Sequence, residues 1–325
     1  MAANAFEGAA PRGAITQPPS SNEYLVDRGF RLLTVCGASL IILLVGYILW
    51  KIGGQALPAI YRYQLGFLIS TNWNVGDQNF GILPEIWGTL YSSILALVIG
   101  GFFGLTVAIF LTQDFLPLRL ALMFRTIIEM LAAIPSVVFG LWGIFVVIPA
   151  IRPIANWLYD ILGWIPFFGS SLSGPGLLPA ALVLAIMILP TVAAISQDAL
   201  NLVPYRTKEA AYGLGTTRWE AILKVMVPTA AGGIASAMVL GFGRALGETM
   251  ALAMLIGNSN QISLSLFAPA QTLASLLASH FPEAGAIEVQ ALMYAALVLL
   301  AITLVVNMMG TAILTITQRR ISGRS

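Results

Sequence analysis

Apolar residues in this chain come in long unbroken runs and do not alternate with polar ones. Six runs stand out: Leu32–Trp50, Gly88–Leu111, Thr126–Ile148, Leu177–Ser196, Ala230–Ile256 and Ala291–Thr315. A helix needs about 20 mostly apolar residues to cross roughly 30 Å of hydrocarbon. The pattern therefore predicts an all-α, polytopic membrane protein with six transmembrane helices. Polar interruptions are few. Glu129 and Pro135 fall in the third run, Pro190 in the fourth, and Arg244 with Glu248 in the fifth. The first 31 residues, rich in Ala, Gly, Pro and Ser up to Asp27, read as a disordered tail, and 32–325 as the membrane domain. The tail lacks the form of a signal peptide, so the first span is expected to be retained.

Composition agrees. Of 325 residues 58% are apolar and 9% charged, and mean hydropathy is +0.88. Soluble domains carry about 25% charge. A net charge of +2 leaves no footprint for nucleic acid. One cysteine, Cys36, excludes an internal disulfide, and one histidine, His280, excludes the usual His/Cys metal clusters.

The placement of positive charge predicts orientation. With the N-terminus inside, inner segments hold Arg12, Arg28, Arg31, Arg119, Arg125, Arg206, Lys208, Arg218, Lys224, Arg319, Arg320 and Arg324. Outer segments hold only Lys51, Arg62 and Arg152, and Arg244 lies within a span. Both termini are therefore expected in the cytoplasm. The outer connection from about Pro149 to Gly176 carries Trp157, Tyr159, Trp164, Phe167 and Phe168, as an interfacial segment would. Gly100 with Gly104, and Gly243 with Gly247, have the spacing that lets helix backbones approach closely.

Catalytic chemistry is missing. The only lysines, Lys51, Lys208 and Lys224, follow Trp50, Thr207 and Leu223, so no phosphate-cradling G-x-x-x-x-G-K-[ST] loop exists. If ATP drives this protein, a partner hydrolyses it. His280 lies between Ser279 and Phe281 with no supporting motif for a nucleophile and base. No catalytic residue, metal or cofactor is expected.

Two constellations remain. Arg244 and Glu248 are four apart, so on a continuous helix they share a face and can pair. Arg244 sits about 20 Å along from Ala230, near mid-membrane. Arginines at that depth are costly and usually face a cavity or pathway. The pair reads either as an interhelical lock or as a fork of donors for a crossing oxyanion. Arg125 and Glu129 form a second, shallower i,i+4 pair, read as structural. Pro135 and Pro190 each remove a backbone donor, as a static kink or a hinge.

The second constellation is the inner connection, about Gln197 to Pro228. Glu209-Ala210-Ala211 favours helix, Gly215 offers a stop, and Arg218–Val227 is amphipathic with Trp219, Ile222 and Met226 at helical spacing. It reads as a short helix–turn–helix for docking, or as a loop helix on the membrane. Its wording resembles the EAA-x3-G-x9-I-x-L-P signature of ABC-importer permeases at Glu209, Ala210, Ala211, Gly215 and Pro228, with Val225 for Ile and Val227 for Leu.

Further stretches resemble the C-type (PstC) permeases of phosphate-specific importers. They are Phe80–Pro84 through Leu90, Ile128–Ser136 with Phe139–Gly143, and Gly241–Thr249. The resemblance implies a type I ABC importer fold in the bacterial plasma (inner) membrane, surrounded by lipid. It implies that Arg244 and Glu248 line the passage of inorganic phosphate, and that Glu209, Ala210, Ala211 and Gly215 couple to a cytoplasmic ATP-binding dimer. A second, A-type permease and an external phosphate-binding protein would complete the assembly. The alternatives are a permease for another oxyanion, molybdate or sulfate, and an ATP-independent anion carrier.

Overall fold

A computed structural model describes residues 21–113 and 115–322, with the side chains of 21–23, 313–314 and 316–322 outside the description. The expected tail therefore lies outside the described residues up to residue 20. The part of it from Ser21 onward is not tail. It begins α1 (Ser21–Tyr63), because nothing between Pro19 and Gly29 interrupts a helix feeding into the apolar run. The described residues up to Lys51 belong to a unit of their own and lie in α1, with their described side chains exposed.

The second unit, from Ile52 onward, holds the packed core. After α1 come a one-turn α2 (Gly66–Ile69) and a small antiparallel hairpin, β1 (Trp73–Asn74) with β2 (Asn79–Phe80). The second apolar run forms α3 (Leu83–Thr112) and the fourth forms α7 (Leu177–Asn201). These two helices press together. A methyl group added at Gly100 would lie 2.6 Å from the Ala185 carbonyl oxygen, and one at Gly104 would lie 2.9 Å from Val192 Cβ. The glycine pair thus sets a close backbone approach, as its spacing predicts. Pro190 sits inside α7 without ending it.

The third run behaves otherwise. It divides into α4 (Leu118–Ala132) and α5 (Ser136–Trp142), separated at Pro135. Proline disfavours helical geometry in the residue before it and supplies no donor, so the helix ends there. From Ser136 the chain continues through a π-helical turn at Gly143–Val147 into α6 (Ile148–Leu162). The stretch long and apolar enough to cross a membrane is Ser136–Leu162, not Thr126–Ile148. Pro149–Leu162, expected as outer loop, belongs to that helix. Beyond it, Trp164 is 80% exposed and Phe168 stacks near the buried Phe267.

The chain then runs through α8 (Tyr205–Gly213), α9 (Arg218–Glu220), a π-helical turn (Ala221–Met226) and α10 (Val227–Thr229). The fifth run follows as α11 (Ala231–Gly247) and α12 (Met250–Leu255). Short α13 (Leu273–His280) and long α14 (Ala286–Ser322) complete the order. Among the described residues, five helices can cross a membrane by length and composition. A sixth crossing results when Arg218–Thr229 and Ala231–Gly247, bent by 71°, count as one span.

Two apolar clusters organise the packed unit. One joins α3, α5, α7, α11 and α12 through Phe139, Leu184, Ile188, Leu252 and Leu255. The other gathers Phe67, Phe80, Leu273, Leu276 and Leu292 beneath the hairpin.

Candidate functional site

The fifth run, expected as one helix through Ile256, breaks at Glu248. Its φ of −70° and ψ of 127° are extended, and helix resumes at Met250. Glu248 caps the end of α11, and its carboxylate is engaged at the start of α12. The expected i,i+4 ion pair is not formed, and neither residue joins any ion pair among the described residues.

Each charge instead faces a helix end. Arg244 lies in the last turn of α11, where unpaired carbonyls give a partial negative charge. Glu248 Oε1 accepts from the Ala251 amide at 3.4 Å, at the start of α12. Arg244 Nη1 donates to Thr191 Oγ1 of α7 at 3.2 Å. A guanidinium carries five N–H donors, so most of this exposed fork remains available. A broken helix within an apolar span also frees backbone polar groups, which membrane proteins tolerate only when buried in protein or facing a water-filled cavity. Break and guanidinium together make a station suited to an oxyanion.

The second glycine pair behaves unequally. A methyl at Gly243 would lie 3.1 Å from Asn307 Oδ1 of α14, whereas Gly247 faces open space. Gly243 thus serves close packing, and Gly247 marks the helix end.

The connection between α7 and α11 is a built helix–turn–helix. Gly215, at φ +81°, closes α8 in the left-handed conformation. The Thr216 amide donates to the Ala211 carbonyl, and the Gly215 amide to that of Tyr212. This is the Schellman arrangement, and it explains why three residues must separate Ala211 from the glycine. Thr217 and Glu220 then form a capping box that starts α9. Ala211 is 5% exposed, against the π-helical turn that buries Ala221, Ile222 and Met226. Glu209 and Ala210 remain exposed, as do Leu214, at 86%, and Trp219, at 58%. The element therefore presents an apolar surface with a carboxylate in it.

Sequence reasoning missed how this element is tied to the rest. Arg218 donates to the Gln113 carbonyl just past the end of α3, and its guanidinium lies 4.0 Å from the Phe115 ring centroid. Phe115 in turn packs on Trp219 and Phe110. Partners more than a hundred residues apart leave no mark in local periodicity. Movement of α9 would thereby be felt at α3. His280 also gains an explanation. Its Nδ1 lies 3.0 Å from Oε1 of the buried Glu288, which accepts from Trp73 Nε1 at 3.2 Å. The set ties the hairpin to α13 and α14. The Arg125–Glu129 pair forms as expected, at 2.9 Å on α4.

Comparison with known proteins places these features in a lineage. Residues 100–323 match the family model described as "Binding-protein-dependent transport system inner membrane component". The chain is 39% identical over 302 residues to the "Phosphate transport system permease protein PstC" of Haemophilus influenzae, covering 90% of this chain and 95% of that protein. A "Probable phosphate transport system permease protein PstC" of Methanocaldococcus jannaschii is 36% identical, covering 86% and 91%. Two solved structures share the fold. One is a bacterial ABC transporter involved in import of the acidic polysaccharide alginate (TM-score 0.57, 17% identity, 89% of this chain and 97% of that one). The other is the inward-facing MetNI methionine ABC transporter (TM-score 0.53, 18% identity, 73% and 95%). This chain is a multi-span permease and belongs to the family of binding-protein-dependent transport system inner membrane components.

Proposed function

We propose that this chain is a membrane-spanning permease subunit of an ATP-driven importer of inorganic phosphate. The observation that carries the reading is likeness to phosphate permeases along nine-tenths of the chain. The geometry agrees with it: a guanidinium with free donors stands at a helix break, and a rigidly capped helix–turn–helix offers an exposed face.

In this reading Arg244 receives the oxyanion and Thr191 steadies its fork. Glu248 holds the start of α12, so that the break keeps its shape. The chain supplies transport without its own ATP chemistry. An ATP-binding dimer docks on the surface around Glu209, Ala210 and the cap at Gly215, with Ala211 as its packing base. A tilt of that element pulls α3 through Arg218 and α11 through the bend at Ala230. An A-type permease completes the pathway, and an external phosphate-binding protein delivers the ion. The distribution of arginine and lysine orients both termini and the α8–α10 element towards the cytoplasm.

The test is uptake of radiolabelled phosphate by the assembled complex in liposomes containing ATP. Uptake that unlabelled phosphate competes away and sulfate does not is the expected result. Uptake of sulfate or molybdate in preference would reassign the substrate, and uptake without the ATPase would assign a carrier.

A further inference from the structure

A cavity that mixes charged and apolar side chains lies away from Arg244, where α4 rests on the C-terminal part of α7. It has a volume of about 40 Å³ and opens to the surface, and Arg125, Glu129, Gln197 and Asp198 line it together. Ala193 and Ala194 form part of its wall, and their short side chains leave it room.

The cavity is connected to the first station by one helix face. Thr191 and Asp198 are seven apart on α7, so they lie along nearly the same stripe, about 10 Å from each other along the axis. Ala194, exposed, sits between them on that stripe. Arg244 holds Thr191 at one end. Arg125, tethered by Glu129 through its Nε, stands by the other.

The charges in the cavity are unusual for an anion site. Two carboxylates accompany one guanidinium. The Asp198 carboxylate and the Gln197 amide make no hydrogen bond or ion pair among the described residues. An ionised carboxylate can only accept hydrogen bonds. A fully deprotonated oxyanion such as sulfate brings acceptors alone and meets Asp198 with repulsion. Phosphate at neutral pH keeps at least one P–OH, which donates to Asp198 while its other oxygens face Arg125 and the Gln197 amide. A site built around a ligand hydroxyl rejects an analogue lacking it far more strongly than shape alone permits. The net negative surroundings also keep dwell time short, as a conducting site requires.

We infer that Arg125, Gln197 and Asp198 form a second, release-side station of the pathway, selective for a protonated oxyanion, with Glu129 as the positioning residue for Arg125. The inference rests on the reading of this chain as a phosphate permease. Ions released at Arg244 pass along the Thr191–Asp198 stripe of α7 and pause here before leaving.

The experiment uses the complete complex in ATP-containing liposomes, with phosphate uptake, ATP hydrolysis and subunit co-purification measured together. If the unmodified complex takes up no phosphate, the substrate reading fails before the station is at issue. With uptake in hand, Arg125→Gln is expected to slow it about tenfold while ATP hydrolysis persists, and Arg125→Lys to recover part of the loss. In Asp198→Asn, sulfate placed inside the liposomes should slow phosphate uptake severalfold, whereas the unmodified complex should ignore it. Gln197→Leu serves as a second probe and should slow uptake even if Asp198→Asn does not assemble. Unmodified uptake rates in both Arg125→Gln and Gln197→Leu would overturn the station. Continued indifference of Asp198→Asn to internal sulfate would overturn its selectivity.

Discussion

At the scale of single residues, Arg244 and Gly215 carry the most. Among the described residues Arg244 has one side-chain partner, Thr191, and an otherwise open fork. Arg244→Gln removes the charge and most of the donors but leaves a shorter polar side chain. Phosphate uptake by the assembled complex should fall to background, while co-purification of the subunits is unchanged. Arg244→Lys should retain a small fraction, because an ammonium supplies charge without the planar fork. Gly215 acts through its backbone. At φ +81° a Cβ costs about 1–2 kcal/mol, so Gly215→Ala should loosen the cap that defines the end of α8. Its effect belongs in substrate-stimulated ATP hydrolysis, which should drop, and not in phosphate binding.

Elements act through their contacts. The α3–α7 pair is set by glycines, and Gly100→Leu would drive a side chain into the Ala185 backbone. Overpacking of this kind costs about 1–3 kcal/mol. A lowered midpoint of thermal unfolding in detergent would show it, with Gly247→Ala, which meets open space, nearly silent by the same measure. The α8–α10 element depends on Arg218 for its connection to α3. Arg218→Ala should leave docking of the ATPase intact and reduce transport per ATP hydrolysed, since the docked face remains while the link is cut. Glu209→Lys should do the reverse and weaken docking itself, read as loss of ATPase from the purified complex.

The whole molecule poses the question of sidedness. In a background of Cys36→Ala, single cysteines at Glu283 and Thr217 lie at opposite ends of the proposed topology. A membrane-impermeant maleimide added to intact cells should label Glu283→Cys, and Thr217→Cys only after permeabilisation. Reversed labelling would invert the orientation and with it the direction assigned to transport.

How much of this was readable without coordinates depends on the range of the interaction. Hydrophobic thickness acts on every residue of a span at once, so runs such as Gly88–Leu111 and Leu177–Ser196 predict α3 and α7 to within five residues at either end. The cap at Gly215 is equally local and was legible as a word in the chain. The third and fifth runs misled, because apolar composition does not say whether the backbone stays helical. At Pro135 a local steric rule wins over continuity of hydrophobicity. At Glu248 the helix ends although spacing alone would pair it with Arg244. The chain by itself determined that this is a membrane protein of helical spans, that Gly100 and Gly104 mark a close approach, and where a turn must close, since those follow from solvent and short-range backbone geometry. Tertiary structure alone decided that Arg244 and Glu248 part company, that Arg218 reaches Gln113, and that Arg125 shares a cavity with Asp198. Those meetings depend on how distant segments pack, and no periodicity along the chain records that.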